Sequence, residues 1–341
     1  IKTLVYIMDE KILKILRCPL TQSDLSADDN SLINKNNQKF PIIDNIMYLI
    51  ESDNSDLQDY YENINVKKNP ENAFSSYKSG MEAYYRESRK NGLLETFPKN
   101  LGLVLDVGGG DGNIFRSFLK FFPIEPSKII LADFAATQMR SSAELLDSQK
   151  YFFCKADATK LPFKDNSFDT IFNSEMIEHL YPQDSKKMLD EFFRVLKPGG
   201  KLIITTPNRS EYRRLIQESI LSIMLFFTRK KGLMEREKLK SKLFRNYLRF
   251  TGHTFVNIDQ AEKNELIGHF NVLRVNVLKQ QLINAGFKIN KTTLSIFIPL
   301  IVLKFMHKID KKWYLRFEKI IKFIKLEKFL LASQMHLAEK P

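Results

Sequence analysis

Val104-Leu105-Asp106-Val107-Gly108-Gly109-Gly110-Asp111-Gly112-Asn113-Ile114-Phe115 is the stretch whose reading decides the fold. Apolar Leu103 to Leu105 read as a buried strand, the glycines as a tight turn, and Asn113 onward as a helix start. Gly108, Gly110 and Gly112 tolerate positive φ and let backbone approach a ligand closely. The helix that follows aims its free N–H groups at an anionic part of that ligand.

Working outward, Ile129-Ile130-Leu131-Ala132-Asp133 reads as a second strand ending in a carboxylate, the position where nucleoside-binding α/β folds grip ribose hydroxyls. Tyr151 to Lys155 make a third strand, leading into Ala156-Asp157-Ala158-Thr159 and then Leu161-Pro162-Phe163. Ser167 to Phe172 make a fourth, which delivers Asn173-Ser174-Glu175 to its carboxyl end. Phe192-Phe193-Arg194-Val195-Leu196-Lys197-Pro198-Gly199-Gly200 ends a helix and turns into the strand Lys201 to Thr206. Strands and helices alternate at βαβ spacing, so an α/β fold with a parallel sheet and a ligand at its carboxyl edge is expected.

This series resembles the class I S-adenosylmethionine-dependent methyltransferases, particularly the small-molecule branch that includes ubiquinone and menaquinone biosynthesis enzymes. The resemblance covers roughly residues 98 to 207. It implies a Rossmann-like seven-stranded sheet with helices on both faces, S-adenosyl-L-methionine as cofactor, and methyl transfer as the reaction. A nicotinamide-dependent dehydrogenase is the competing reading, but its glycine pattern differs and Leu-Lys-Pro-Gly-Gly has no role there. Physical need assigns the same parts that the resemblance implies. Gly108 and Gly110 expose backbone toward the methionine portion, and Asp106 accepts from the turn or, through water, from the cofactor ammonium. Asp133 takes both ribose hydroxyls in charge-assisted bonds. Asp157 accepts from the adenine amine while the Ala158 N–H meets a ring nitrogen, and Asn173 stands at the same edge as a further cofactor contact.

Glu175-Met176-Ile177-Glu178-His179 follows the fourth strand. Helical spacing would place 175 with 178 and 179 on one face, where the acceptor should lie. Glu175, Glu178 and His179 are therefore the candidate catalytic residues. The motif resembles the Glu-x-x-Glu-His of ubiquinone-type O-methyltransferases, where it is associated with a divalent cation that polarises a hydroxyl. His179 as general base is the second option, and a role only in shaping the loop is the third. His253 and His269 are further candidates. Methyl transfer from a sulfonium asks mainly for in-line positioning.

The 341-residue chain has room for additions to this core. Residues 8–52 resemble the small zinc-ribbon-like activator domain of tRNA and protein methyltransferases, in degenerate form. Only Cys18 remains of its ligands, with Thr21, Ile33 and Asn36 near the other places, so no metal is expected. Residues 53–97 read as an acidic, Asn-rich linker and helical cap, 98–207 as the cofactor-binding core, 208–267 as a basic lid insertion, and 268–341 as terminal core strands with a basic amphipathic helical insertion. Two cysteines, Cys18 and Cys154, give no disulfide framework. The N-terminal residues lack a signal-peptide pattern, which reads as cytoplasmic, and Met8 is a candidate start.

The net charge of +13 is carried entirely by the last part of the chain. Residues 208–341 hold 27 Lys+Arg against 11 Asp+Glu, an excess of 16, whereas residues 1–207 hold 26 against 29. Such asymmetry points to an anionic partner. An ordinary lid, with its apolar face packed on the core and its lysines solvated, is the first reading of this segment. Ile/Leu/Phe runs beside Lys/Arg and one Trp also suit a membrane surface and a peripheral location, which ranks second. Nucleic acid ranks behind it, because the segment lacks aromatic platforms on a sheet. Neither apolar run, Leu215 to Phe227 or Ile296 to Leu303, reaches the ~18–20 residues of a spanning helix. The function expected is methylation, on oxygen, of a small or lipid-linked acceptor. An RNA methyltransferase and a non-catalytic cofactor-binding scaffold are the alternatives.

Overall fold

The computed structural model describes residues 9–50, 100–112, 115–116, 119, 126–208, 271–296 and 331–341. The expected cap (53–97), nearly all of the lid, the amphipathic helices of 297–330, His253 and His269 lie outside the described residues.

After α1 (Glu10–Ile15) come four short strands, β1 (Ser26–Asp28), β2 (Ser31–Ile33), β3 (Lys39–Ile43) and β4 (Ile46–Tyr48). The glycine turn follows β5 (Leu103–Val107), and β6 (Lys128–Asp133) leads into α2 (Ala136–Leu145) and β7 (Tyr151–Lys155). Then come β8 (Phe168–Ser174), a 3-10 turn (Ile177–His179), α3 (Pro182–Val195) and β9 (Leu196–Pro207). Last are α4 (Val275–Asn284), β10 (Lys288–Ile296) and β11 (Leu331–Glu339).

The strands form one sheet in the order β1-β2-β3-β4-β7-β6-β5-β8-β9-β11-β10. Seven of them, β7 to β10 in that order, make the expected core: β7, β6, β5, β8 and β9 run parallel, and β11 inserts antiparallel between β9 and β10. Both faces are covered, which is why the inner strands read as continuous apolar runs rather than alternating ones. On one face Leu105, Val107, Ile130, Ile171 and Ile204 meet Met188, Leu189 and Phe192 of α3 and Leu278 and Leu282 of α4. On the other, Val104, Ile129, Leu131, Phe153 and Ile203 meet Ala136, Met139 and Ala143 of α2, with Phe115 from the start of the helix after the glycine turn. In α3 the buried set Ser185, Met188, Leu189, Phe192 and Val195 recurs at helical spacing, and Pro182 begins the helix, where its missing N–H costs nothing.

The sheet is wider than the expected seven strands. The N-terminal strands extend it: β4 lies parallel to β7, with Ile46, Met47 and Tyr48 in register with Phe153, Cys154 and Lys155, and the Leu49 N–H donates to Lys155 O at 3.0 Å. Without β4, β7 would be an open edge with unpaired backbone groups. The region also differs in its knuckle. Cys18 Sγ accepts from the Thr21 N–H (3.4 Å) and from Asn34 Nδ2 (3.3 Å), so Asn34 stands where Ile33 was expected. Ile33 pairs in β2 with Ser26 and Lys39. The Asn36 N–H donates to Asn34 Oδ1 at 2.9 Å, which turns the loop without Asn36 reaching the sulfur.

Candidate active site

The glycine turn caps the carboxyl end of β5, and two of its glycines, Gly108 and Gly110, bear directly on the site. Gly108 has φ +69°, and a Cβ there would lie 2.6 Å from Met176 Sδ. Gly110 has φ +56° and an N–H that donates to Asp133 Oδ2 at 2.9 Å. The other oxygen of Asp133 accepts from the Ala135 N–H at 2.9 Å, which fixes the carboxylate between the turn and the start of α2.

Asp106 is fully buried, and neither of its carboxylate oxygens meets a donor among the described residues. Burial pushes its carboxyl well above the usual range, and the charges of Asp133 and Asp111 push it the same way. Three carboxylates converge on the turn. An unpartnered buried carboxyl is costly, and a cationic ligand relieves it. S-adenosylmethionine carries an ammonium, a sulfonium and two vicinal hydroxyls, and this donor set fits Asp106, Asp111 and Asp133. Asp157 is held by Thr159, whose N–H (2.7 Å) and hydroxyl (2.8 Å) both donate to Oδ1, and Ala158 is buried beside it. Asn173 is buried and donates through Nδ2 to Val107 O at 2.9 Å and to Met176 Sδ at 3.1 Å, while its Oδ1 meets no donor among the described residues.

The loop after β8 departs from expectation. Glu175 has φ +56°, and only a single 3-10 turn spans Ile177–His179, so the helical face expected to gather Glu175, Glu178 and His179 does not form. The acids are fastened to the end of β9 instead. Glu175 donates its N–H to Thr205 O (2.9 Å) and accepts from the Thr205 hydroxyl at 3.2 Å. Glu178 is fully buried and accepts from the Thr206 hydroxyl at 2.9 Å, while its carbonyl receives the Asn271 N–H at 3.0 Å. His179, half-buried, closes the turn by donating its N–H to Met176 O at 2.9 Å. Among the described residues no group of three or more His, Cys, Asp or Glu side chains could hold a metal ion.

Met176, Thr205, Thr206 and Asn271 escaped sequence reasoning. Each matters through a partner at least 28 residues away or through packing on the glycine turn, which local pattern encodes poorly. A threonine pair at the end of a strand that follows an acidic loop is the one signal that was available.

Residues 105–204 match the family model described as a methyltransferase domain. The ubiquinone/menaquinone biosynthesis C-methyltransferase UbiE of Pseudomonas paraeruginosa is 37% identical over 106 residues, which are 30% of this chain and 40% of that protein. Its namesake in Pasteurella multocida is 29% identical over 190 residues, 54% of this chain and 62% of that protein. The chain thus spans less than two thirds of the length of these curated relatives. Among solved structures, phosphoethanolamine N-methyltransferase 2 of Haemonchus contortus in complex with S-adenosyl-L-methionine superposes with a TM-score of 0.46 at 14% identity, over 89% of this chain and 62% of that one. A complex of the Haloferax volcanii Trm112 methyltransferase activator with a methyltransferase gives 0.48 at 16% identity, over 85% of this chain and 100% of that one. Among the described residues no helix is long and apolar enough to cross a membrane.

Proposed function

We propose that this chain, whose residues 105–204 match the methyltransferase domain, transfers a methyl group from S-adenosylmethionine to a hydroxylated small or lipid-linked acceptor. The observation that carries the reading is the carboxylate set around the glycine turn: buried Asp106 without a donor among the described residues, beside Asp133 clamped by Gly110 and Ala135. When bound, the cofactor supplies an activated methyl on a sulfonium. Asp133 receives the ribose hydroxyls, Asp106 and Asp111 face the cationic portion, and Asp157 with the Ala158 N–H receives the adenine. Asn173 and Met176 line the strand end where cofactor and acceptor meet.

The acceptor side is narrower than the sequence pattern suggested. Glu178 is fully buried on Thr206, which suits holding the loop rather than touching substrate. His179, half-buried in the same loop, is left as the base. Removing a proton from an acceptor hydroxyl raises electron density on that oxygen and on ring carbons ortho and para to it, so one base serves methylation at oxygen, or at carbon with the ring C–H proton then lost and the hydroxyl reprotonated. The curated relatives are C-methyltransferases by name, and we adopt a ring carbon beside a hydroxyl over the oxygen itself.

Incubation with methyl-labelled donor and a panel of hydroxylated aromatic and quinol-type acceptors tests this. Label should enter the acceptor with release of S-adenosylhomocysteine, and NMR of the product places the methyl on carbon or oxygen. Label entering only RNA would overturn the acceptor class. Cofactor binding without transfer to any acceptor would leave the scaffold reading in its place.

A further inference from the structure

At the carboxyl edge of the sheet three side chains stand in a row across three strands. Tyr48 of β4 is in register with Lys155 of β7, and Lys155 is in register with Asp133 of β6. All three lie on the same face, since two residues earlier on each strand Ile46, Phe153 and Leu131 share one core cluster. Lys155 is only 6% exposed, and its ammonium lies 5.5 Å from the centroid of the Tyr48 ring. A buried ammonium on an aromatic face is held in place and partly compensated for lost hydration. Asp133 is meanwhile one of three acids gathered at the turn, where its charge and that of Asp111 add to the burial that keeps Asp106 from ionising. A cation fixed on the next strand opposes that repulsion from the outer side.

Resting on the cofactor reading above, we infer that Tyr48 is a positioning residue for the cofactor site: it holds the Lys155 ammonium beside Asp133, so that the N-terminal strands set cofactor affinity through a tyrosine–lysine–aspartate row. The N-terminal region thereby takes part in donor binding. A carboxylate is a stronger acceptor for two hydroxyls than a neutral carboxyl, and Lys155 supports the negative charge at Asp133 only while its side chain stays on the Tyr48 ring rather than turning outward to water.

Calorimetry with S-adenosylhomocysteine on the full chain tests it. Tyr48→Leu, which keeps apolar bulk but removes the ring face, should weaken binding about three- to tenfold, and Tyr48→Phe should bind as wild type. Lys155→Met should weaken binding at least as much, and adding Tyr48→Leu to Lys155→Met should weaken it no further. In turnover, Tyr48→Leu should raise KM for the donor and leave kcat unchanged. Full affinity in Tyr48→Leu, equal losses in the Leu and Phe variants, or losses that add in the double variant would each overturn the inference while leaving the cofactor reading intact. A wild-type chain that binds no S-adenosylhomocysteine overturns both.

Discussion

The Thr206 hydroxyl donates to Glu178 Oε2 at 2.9 Å, and both side chains are fully buried. This bond ties the loop after β8 to the end of β9, and on the proposed reading it makes Glu178 an acid that holds the loop. Glu178→Ala strands the Thr206 hydroxyl in a dry interior and should lower unfolding stability by about 1–3 kcal/mol. Glu178→Gln, which retains an acceptor oxygen, should cost less. Urea unfolding followed by circular dichroism measures both, and an Ala variant of unchanged stability with abolished turnover would restore Glu178 to the chemistry.

Asp133 is the test of the ribose assignment. Asp133→Ala removes the acceptor for two hydroxyls and should lose about 2–4 kcal/mol of S-adenosylhomocysteine affinity. Asp133→Asn keeps the turn bonded through one oxygen and should lose less. Calorimetry that finds the Ala variant unimpaired removes Asp133 from the site.

Gly108 permits the approach of Met176. In Gly108→Ala the new Cβ would meet Met176 Sδ at 2.6 Å with φ at +69°, and the left-handed conformation alone costs an L residue about 1–2 kcal/mol. The variant should melt at lower temperature and bind cofactor more weakly. Gly199→Ala is the comparison, because its Cβ would meet nothing within 4 Å, so its effect isolates the φ term at +78°.

His336 makes the stability of the terminal strands depend on pH. It is fully buried, with Nδ1 3.0 Å from the Thr292 hydroxyl and Nε2 2.9 Å from Gln334 Oε1, while Gln334 Nε2 donates to Leu273 O at 2.8 Å. Burial, with the nearby Lys279 charge, pulls its pKa from 6.5 down to about 3. The unfolded chain therefore binds the proton first. The stabilising contribution is complete above about pH 6.5 and is lost as pH falls toward 3, by up to about 1.4 kcal/mol per pH unit. His336→Gln should show a shallower loss between pH 6.5 and 4.5 than wild type. Parallel slopes in chemical unfolding across that range would exclude the histidine as the source.

The basic excess after residue 207 is testable without structural detail. If it meets anionic membrane, the protein should sediment with phosphatidylserine-containing vesicles, with about 1 kcal/mol contributed by each Lys or Arg near the surface. Binding should fall when Ile298, Leu300, Ile301 and Phe305 are made polar, because interfacial insertion needs apolar burial as well as charge. Salt sensitivity alone does not separate this from RNA, since phosphate contacts follow the same trend. Tight binding to tRNA or rRNA fragments, indifferent to the apolar substitutions and without vesicle binding, would transfer the segment to the RNA reading.

The sequence by itself determined the core: the glycine turn, the acids at strand ends and the Leu-Lys-Pro-Gly-Gly turn lie within single strand–turn–helix units, where local conformational demand selects residue type. Asp106, Gly108, Gly110 and Asp133 could be placed on the sheet edge for that reason. Tertiary structure alone decided the rest. Whether Glu175 and Glu178 share a helical face depended on Thr205 and Thr206, which draw them to β9 from 30 and 28 residues away. Whether the N-terminal strands stand apart or extend the sheet depended on the open edge of β7, and Tyr48 meets Lys155 only because β4 pairs there. Such contacts are made by strand register and burial between distant segments, and no local periodicity encodes the partner.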